Sequence, residues 1–314
     1  MIELIRAGVL STQKTNFYRS LNFFSNNWLM HKQAKEFEKI EFDGGFYKKL
    51  FSTDKKEFLG FCVCYPMRWD SKHYGMKMGR LDLSFSKRMT ERESAYILKS
   101  IVDEAKNRNY DYLCISVVGS SDVDVFLLDF GFTLIEKTVN YLPNNKAFQE
   151  YCFNGADLAL PSLIREFESN DWDQVEAIIE STHFPSRYTK DPVFEPSKVV
   201  DMYVCWLKNL AKNINYNKLF VSIVNKQVVA CGGVSIIEDL ADSGFLLLGN
   251  SILASSVTSM GVGESIVKKT LESAFEDKLS CLFSTSSDNL AMQSILQKTG
   301  CQVCSVVNFY RLLL

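Results

Sequence analysis

One order of elements runs twice along this chain of 314 residues. In the second half, Lys218 to Val224 and Gln227 to Ile237 read as apolar, β-branched strands around the turn Asn225-Lys226, and a third strand runs from Gly244 to about Leu253. A small-residue loop, Ala254 to Met260, is closed by Gly261-Val262-Gly263. Ile266, Val267, Leu271 and Ala274 then fall at helical spacing within Glu264 to Phe275. Lys278 to Ser284 is another strand, Ser286-Ser287-Asp288 opens a helix through Gln297 that stops at Gly300, and Val303 to Leu313 is the last strand.

The first half follows the same plan. Phe58 to Tyr65 and Met76 to Phe85 are strands, and Thr90 with Glu93 forms a capping box opening a helix to about Lys106. Tyr112 to Val118 is a strand, followed by Ser120-Ser121-Asp122, a short helix and Gly131. The closest pair is the cysteine-bearing strands around Cys114 and Cys281, each leading into Ser-Ser-Asp and an apolar helix that ends at glycine. The weakly periodic stretch from Pro143 to Pro161 separates the halves, so two domains are expected, 1–150 and 151–314. The expected class is α/β (α+β), each domain a mixed, mostly antiparallel sheet flanked by helices.

Composition excludes several functions. Hydrophobic residues make up 46% of the chain, enough for substantial cores, and 35 basic residues nearly cancel 37 acidic ones. That balance offers no global field for nucleic acid or a membrane surface. No apolar run approaches the ~20 residues of a membrane span, and the start, Met1 to Arg6, carries no leader pattern. The nine cysteines sit mostly inside apolar runs, as buried thiols of a reducing compartment do. A cytoplasmic protein is therefore expected. Cys301 and Cys304 have a CxxC spacing, but no second such pair exists and His31, His73 and His183 are scattered, so no metal is expected.

The halves differ before their central helices. Ser84 to Thr90 contains no glycine, whereas Gly261 and Gly263 open the helix at Glu264. A glycine turn at a helix N-terminus presents unpaired backbone N–H groups to a pyrophosphate. It also serves as an ordinary tight connection. A Walker loop is excluded because no Gly-Lys-Ser/Thr follows, and Ile266 stands where a dinucleotide fingerprint needs its third glycine.

Hairpin strands, glycine loop, helix, strand, the Asn289-Leu290-Ala291 helix and closing Gly300 together resemble the GNAT acyl-CoA N-acyltransferase superfamily. Trp69-Asp70-Ser71-Lys72-His73-Tyr74-Gly75 and Ser186-Arg187-Tyr188-Thr189-Lys190-Asp191-Pro192 are similar to segments of the TDP-fucosamine N-acetyltransferase family and related tandem-GNAT proteins, over roughly residues 58 to 314. The resemblance implies two tandem GNAT-like domains, the first degenerate. It implies acetyl-CoA as co-substrate, its pyrophosphate on backbone N–H groups of Ser259, Met260, Gly261, Val262, Gly263 and Glu264, and its arm near Asn289. Asn289 has a second reading, as an ordinary helix cap. Backbone donors at Leu253 and Ala254 would polarise the thioester carbonyl. The acceptor implied is a small-molecule primary amine, by family likeness that of an amino-deoxysugar nucleotide, contacted by Arg187 and Asp191.

The chain departs from the superfamily pattern at two places: Thr258 replaces the usual basic or amide residue, and Leu296 stands where a tyrosine usually protonates the leaving thiolate. Tyr310 and Tyr188 are the candidate catalytic replacements, and Glu238, Asp239 or His183 could serve as base. Two other readings stay open: a degenerate module that binds CoA or a sugar nucleotide without turnover, and aminoacyl transfer as in tandem-GNAT peptidoglycan-bridge enzymes. The near-neutral charge counts against a tRNA partner. Residues 1–57 lie outside the resemblance and suit an acceptor lid or an oligomer contact, which leaves a homodimer open.

Overall fold

Trp69 to Gly75 shows how local chemistry sets the architecture of the first half. Ser71 accepts the Met78 N–H at 2.9 Å and donates to the Met67 carbonyl at 2.6 Å, so one hydroxyl ties a short helix, α1 (Arg68–Tyr74), to the strand that follows. Tyr74 is buried and Gly75 closes the helix in the left-handed region, φ 73°. Trp69 remains 47% exposed, so it is not the core aromatic that its size suggests.

The computed structural model describes residues 44–51, 58–85, 90–119, 121–153, 163–212, 217–236, 247–257, 261–277 and 280–314. The chain divides into two units, Met1–Lys137 with Ser305–Leu314, and Thr138–Cys304. In the first unit the strand order is β1 (Phe46–Phe51), β2 (Phe58–Pro66), β3 (Met78–Phe85), β4 (Tyr112–Val118), and then the end of the last strand, β12 (Cys301–Leu313). Neighbours are antiparallel except β3 and β4, which run parallel over Met78 to Leu81. Helix α2 (Glu91–Asn107) lays Ile97, Leu98, Ile101, Val102 and Ala105 against Cys62, Cys64, Leu81 and Leu83. Its expected capping box is present, with Thr90 N–H donating to Glu93 at 2.9 Å and Glu93 N–H to the Thr90 hydroxyl at 3.3 Å. Helix α3 (Ser121–Asp129) and the start of β5 (Thr133–Pro143) complete this unit.

The second unit contains α4 (Asn145–Phe153), β6 (Leu163–Glu166), α5 (Trp172–Ser181), α6 (Arg187–Lys190), α7 (Pro196–Lys212), β7 (Asn217–Val224), β8 (Gln227–Ile236) and β9 (Leu247–Ser255). After these come α8 (Val262–Glu276), β10 (Ser280–Cys281), β11 (Phe283–Ser286) and α9 (Leu290–Lys298). A five-stranded sheet has the order β10-β9-β8-β7-β6, antiparallel except for β9 with β10. Asn225 and Lys226 both take positive φ, 50° and 66°, the two-residue hairpin expected between β7 and β8. The core joins Val267, Leu271 and Ala274 of α8, Met292 and Leu296 of α9, and Tyr141, Phe148 and Phe283.

Three expectations are corrected. The units part at Lys137 and Thr138 rather than at 150/151, and residues from Ser305 onward join the first unit, because the end of β12 pairs with β4. The stretch read as a divider contains α4, whose Phe148 stacks on Phe275 at 5.1 Å; its few apolar residues suffice because they fill a core provided by α8. The strand expected over Lys278 to Ser284 is interrupted at Leu282. Thiol chemistry follows the burial: none of the nine cysteines is in a disulfide, and burial pushes the Cys64, Cys231 and Cys281 thiols up to about 12. Among the described residues no helix is long and apolar enough to cross a membrane.

Arg165 of β6 clasps Asp171 through two hydrogen bonds of 2.6 and 2.7 Å, and the same carboxylate accepts the Glu168 N–H at 2.8 Å. The guanidinium holds the Asp171 carboxyl below its ordinary value. A depressed folded value means that the pair's stabilisation is complete above the unfolded value near ~3.9 and is lost as pH falls through the lower folded value. Arg165→Met should therefore cost on the order of 2 kcal/mol in urea unfolding at neutral pH, and the gap from the parent should shrink below pH 4. An equal gap at both pH values would contradict this.

Candidate functional site

The parallel ladder between β9 and β10 has only two pairs, Leu247 with Ser280 and Leu248 with Cys281. After Leu282 the chain resumes as β11, which pairs antiparallel with β5, Phe283 opposite Tyr141. From Gly249 onward, no strand among the described residues is bonded to the side of β9 away from β8. On its other side β9 carries a bulge: Val234 pairs with Ser251 and Ser235 with Gly249, so Asn250 is the extra residue.

Which backbone groups face the opening follows from the pairing. Ser256 N–H donates to the Val229 carbonyl at 2.9 Å, and alternate residues of an antiparallel strand turn their backbone groups to opposite neighbours. With Ala254 opposite Cys231, the Ala254 N–H turns toward β8, and the Leu253 and Ser255 N–H groups turn toward the open side. Of the two expected donors, Leu253 and Ala254, only Leu253 is aimed at the opening.

Helix α8 starts beside this edge. Gly261 precedes it with φ 73°, and no side chain among the described residues caps it. A residue with a Cβ would pay about 1–2 kcal/mol for that conformation. Ser265 N–H is the first to find a helical partner, the Gly261 carbonyl at 3.0 Å, so the N–H groups of Val262, Gly263 and Glu264 have no intrahelical acceptor, as at every helix start. Gly263 has a second reason to be small, since a Cβ there would lie 3.3 Å from Ile295 Cδ1 and 3.4 Å from Leu253 Cδ2. The glycine pair thus serves both packing and an exposed helix end.

Glu264 puts a buried carboxylate in the first turn of α8. It accepts from Tyr151 Oη at 2.7 Å and from Lys298 Nζ at 2.8 Å. These partners compensate the charge, and Tyr151 is pushed well above its ordinary value by burial and by this carboxylate. No sequence pattern announced this triad, because its members come from α4, α8 and α9.

Asn289 caps α9, its side-chain oxygen accepting the Met292 N–H at 3.1 Å. Leu296, in the position of the usual tyrosine, is fully buried in the core. Arg187 and Tyr188 lie together on α6, with Arg187 Nη2 donating to the Tyr188 oxygen at 2.7 Å and the guanidinium 4.7 Å from the ring centre. Asp191 is buried and its carboxylate accepts the Val193 N–H at 3.2 Å, so it shapes the turn after α6. Lys190 joins α6 to the start of α9, reaching Ser286 Oγ at 2.8 Å and Asp288 Oδ2 at 2.7 Å.

Tyr310 lies in the first unit, buried, and donates to Asp124 Oδ1 at 2.7 Å while Asn308 holds the other carboxylate oxygen at 2.9 Å. Burial and the Asp124 carboxylate push the Tyr310 phenol far up, which suits a packed structural hydroxyl. His183 is exposed. Thr258, Ser259, Met260, Glu238 and Asp239 lie outside the described residues.

No protein-family model and no curated protein matches this chain. Solved structures do match in fold. A tandem GNAT protein from the clavulanic acid biosynthesis pathway superposes with a TM-score of 0.59 at 10% identity, over 99% of this chain and 94% of its own. A GCN5-related N-acetyltransferase from Sphaerobacter thermophilus gives 0.57 at 9% identity, over 85% and 80%. A conserved protein of unknown function from Staphylococcus epidermidis gives 0.56 at 13% identity, over 80% and 90%. The expected architecture is therefore right: the chain has the GNAT fold. The similarity does not single out the TDP-fucosamine family.

The Asn289 cap makes a direct prediction. Asn289→Ala should lower stability by about 1 kcal/mol in urea unfolding, whereas Asn289→Asp should retain most of it. Equal losses in both variants would contradict the capping geometry.

Proposed function

We infer from the GNAT fold that this chain is an N-acyltransferase that moves an acetyl or other small acyl group from its CoA thioester to a primary amine. The observation that supports this reading most is the opening between β9 and β11, with the uncapped start of α8 beside it. An extended pantetheine arm suits an unpaired strand edge, and a pyrophosphate suits a helix start whose donors are free of side-chain caps. In this reading Leu253 N–H bonds the arm or the thioester oxygen, and the N–H groups of Gly261, Val262, Gly263 and Glu264, with those of Ser259 and Met260, hold the pyrophosphate. The Lys298 and Tyr151 partners of Glu264 keep its carboxylate from repelling that anion.

The neutral amine attacks the thioester carbonyl, the oxyanion is met by backbone donors, the C–S bond breaks to release the CoA thiolate, and the new amide nitrogen gives up its extra proton to water. A thiolate with a pKa near ~8.5 is a tolerable leaving group at neutral pH. Leu296 cannot protonate it, and Tyr310 is committed to Asp124. Tyr188 is the remaining candidate: its oxygen accepts from Arg187 Nη2 at 2.7 Å, which leaves its own O–H to donate. Arg187 would also recognise a phosphate of the acceptor, in keeping with an amino-deoxysugar nucleotide. Asp191 contributes by setting the turn that presents them.

The buried Leu296 also favours a second reading, a GNAT module that binds a CoA ester without turning it over. Calorimetry with acetyl-CoA should give saturable binding, and an absence of binding would overturn both readings. In an acyl-transfer assay over a panel of amino-sugar nucleotides, Tyr188→Phe should lower kcat by about 10²-fold or more without weakening acetyl-CoA binding. Tight acetyl-CoA binding with no transfer by the parent to any amine would favour the module.

A further inference from the structure

The first unit holds a cavity of about 530 Å³ at the end of its sheet where the parallel strands β3 and β4 begin. That volume is within the range of small-molecule sites. Three cations from three different segments line it: Arg68 from α1, Lys77 from the entry to β3, and Arg108 from the end of α2. Its floor is apolar, with buried Met78 and Tyr110 beside Pro66, and none of the described lining residues is acidic.

The nearby acids are already engaged. Glu104 accepts from Arg108 Nε at 2.8 Å and from Lys48 at 3.3 Å, and Asp111 accepts the Lys77 backbone N–H at 2.7 Å. The cations rest on rings: Lys77 Nζ lies 4.7 Å from the centre of Tyr110, and the Arg108 guanidinium 4.5 Å from that of Phe46. Lys77 also donates to the Arg108 carbonyl, and among the described residues it has no carboxylate partner. A positive side chain at a helix C-terminus is ordinary, and that accounts for Arg108 and for this one bond of Lys77. It does not account for a ligand-sized hollow lined by cations from three segments.

We propose that this cavity binds a small phosphate monoester with an aromatic or apolar body, its phosphate held by Lys77, Arg68 and Arg108 and its body set on Met78, Tyr110 and Pro66. An ammonium and two guanidiniums match a dianion with several acceptor oxygens. The cavity belongs to the first unit alone, so the proposal does not rest on the acyl-transfer reading.

Phenyl phosphate is the probe, titrated by calorimetry into the full chain beside inorganic phosphate. One saturable site is expected, tighter for phenyl phosphate than for inorganic phosphate because only the former covers the apolar floor. Lys77→Met and Arg68→Gln should each weaken phenyl phosphate binding on the order of tenfold. Lys99→Met, which removes an exposed lysine paired with Asp103 on α2, should leave it unchanged. Lys77 and Arg68 are both exposed, so their variants should keep the parent's circular dichroism; if one fails to fold, the other carries the test. Absence of saturable binding, equal affinity for the two phosphates, or binding insensitive to the folded variants would overturn the proposal.

Discussion

Two residues after Cys281 pairs with Leu248, the chain leaves its parallel partner for an antiparallel one. A parallel ladder that ran the length of β9 would fill that strand's second edge and leave no backbone donor for a ligand. The change of partner at Leu282 prevents this, and Tyr141 opposite Phe283 gives the departing strand a core to join. The bulge at Asn250 increases the local twist of β9 on the side where the strands part. Every later element of the candidate site depends on that opening.

Helix α8 is set against the same edge by the smallness of Gly263, which leaves room only for contacts with Leu253 and Ile295. Its first turn then lies beside that edge with three N–H groups that have no intrahelical acceptor and a positive dipole end. The buried Glu264 would work against an anion there if it were alone. Lys298 and Tyr151 make it a compensated group, and the same bonds fasten α4 and α9 to α8. In the proposed reading, one small cluster serves both packing and the anion.

Much of this was legible in the sequence, where side chains within a few residues determine the local structure. The capping box at Thr90, the hairpin at Asn225-Lys226 and the glycine-opened helix α8 are local devices, and they occur as the residues predict. What escaped was decided by distant partners. Strand β12 reads as the end of the second domain, yet Val307 onward pairs with β4, so Tyr310 serves the first unit's core. Asn289 carried two readings, and the bond it makes within its own helix supports the capping one. The Glu264 triad and the cationic cavity of the first unit each gather residues far apart in the chain, and no spacing rule finds such groups.

The central claim is that the free edge of β9 and the uncapped start of α8 form one seat for coenzyme A. Hydrogen–deuterium exchange of the full chain, with and without CoA, reads those amides directly. The account predicts slowed exchange at Leu253 and Ser255 and at Val262 to Glu264, with Ala254, already bonded toward β8, little changed. Saturating CoA that slows exchange elsewhere and leaves these amides as they were would contradict it.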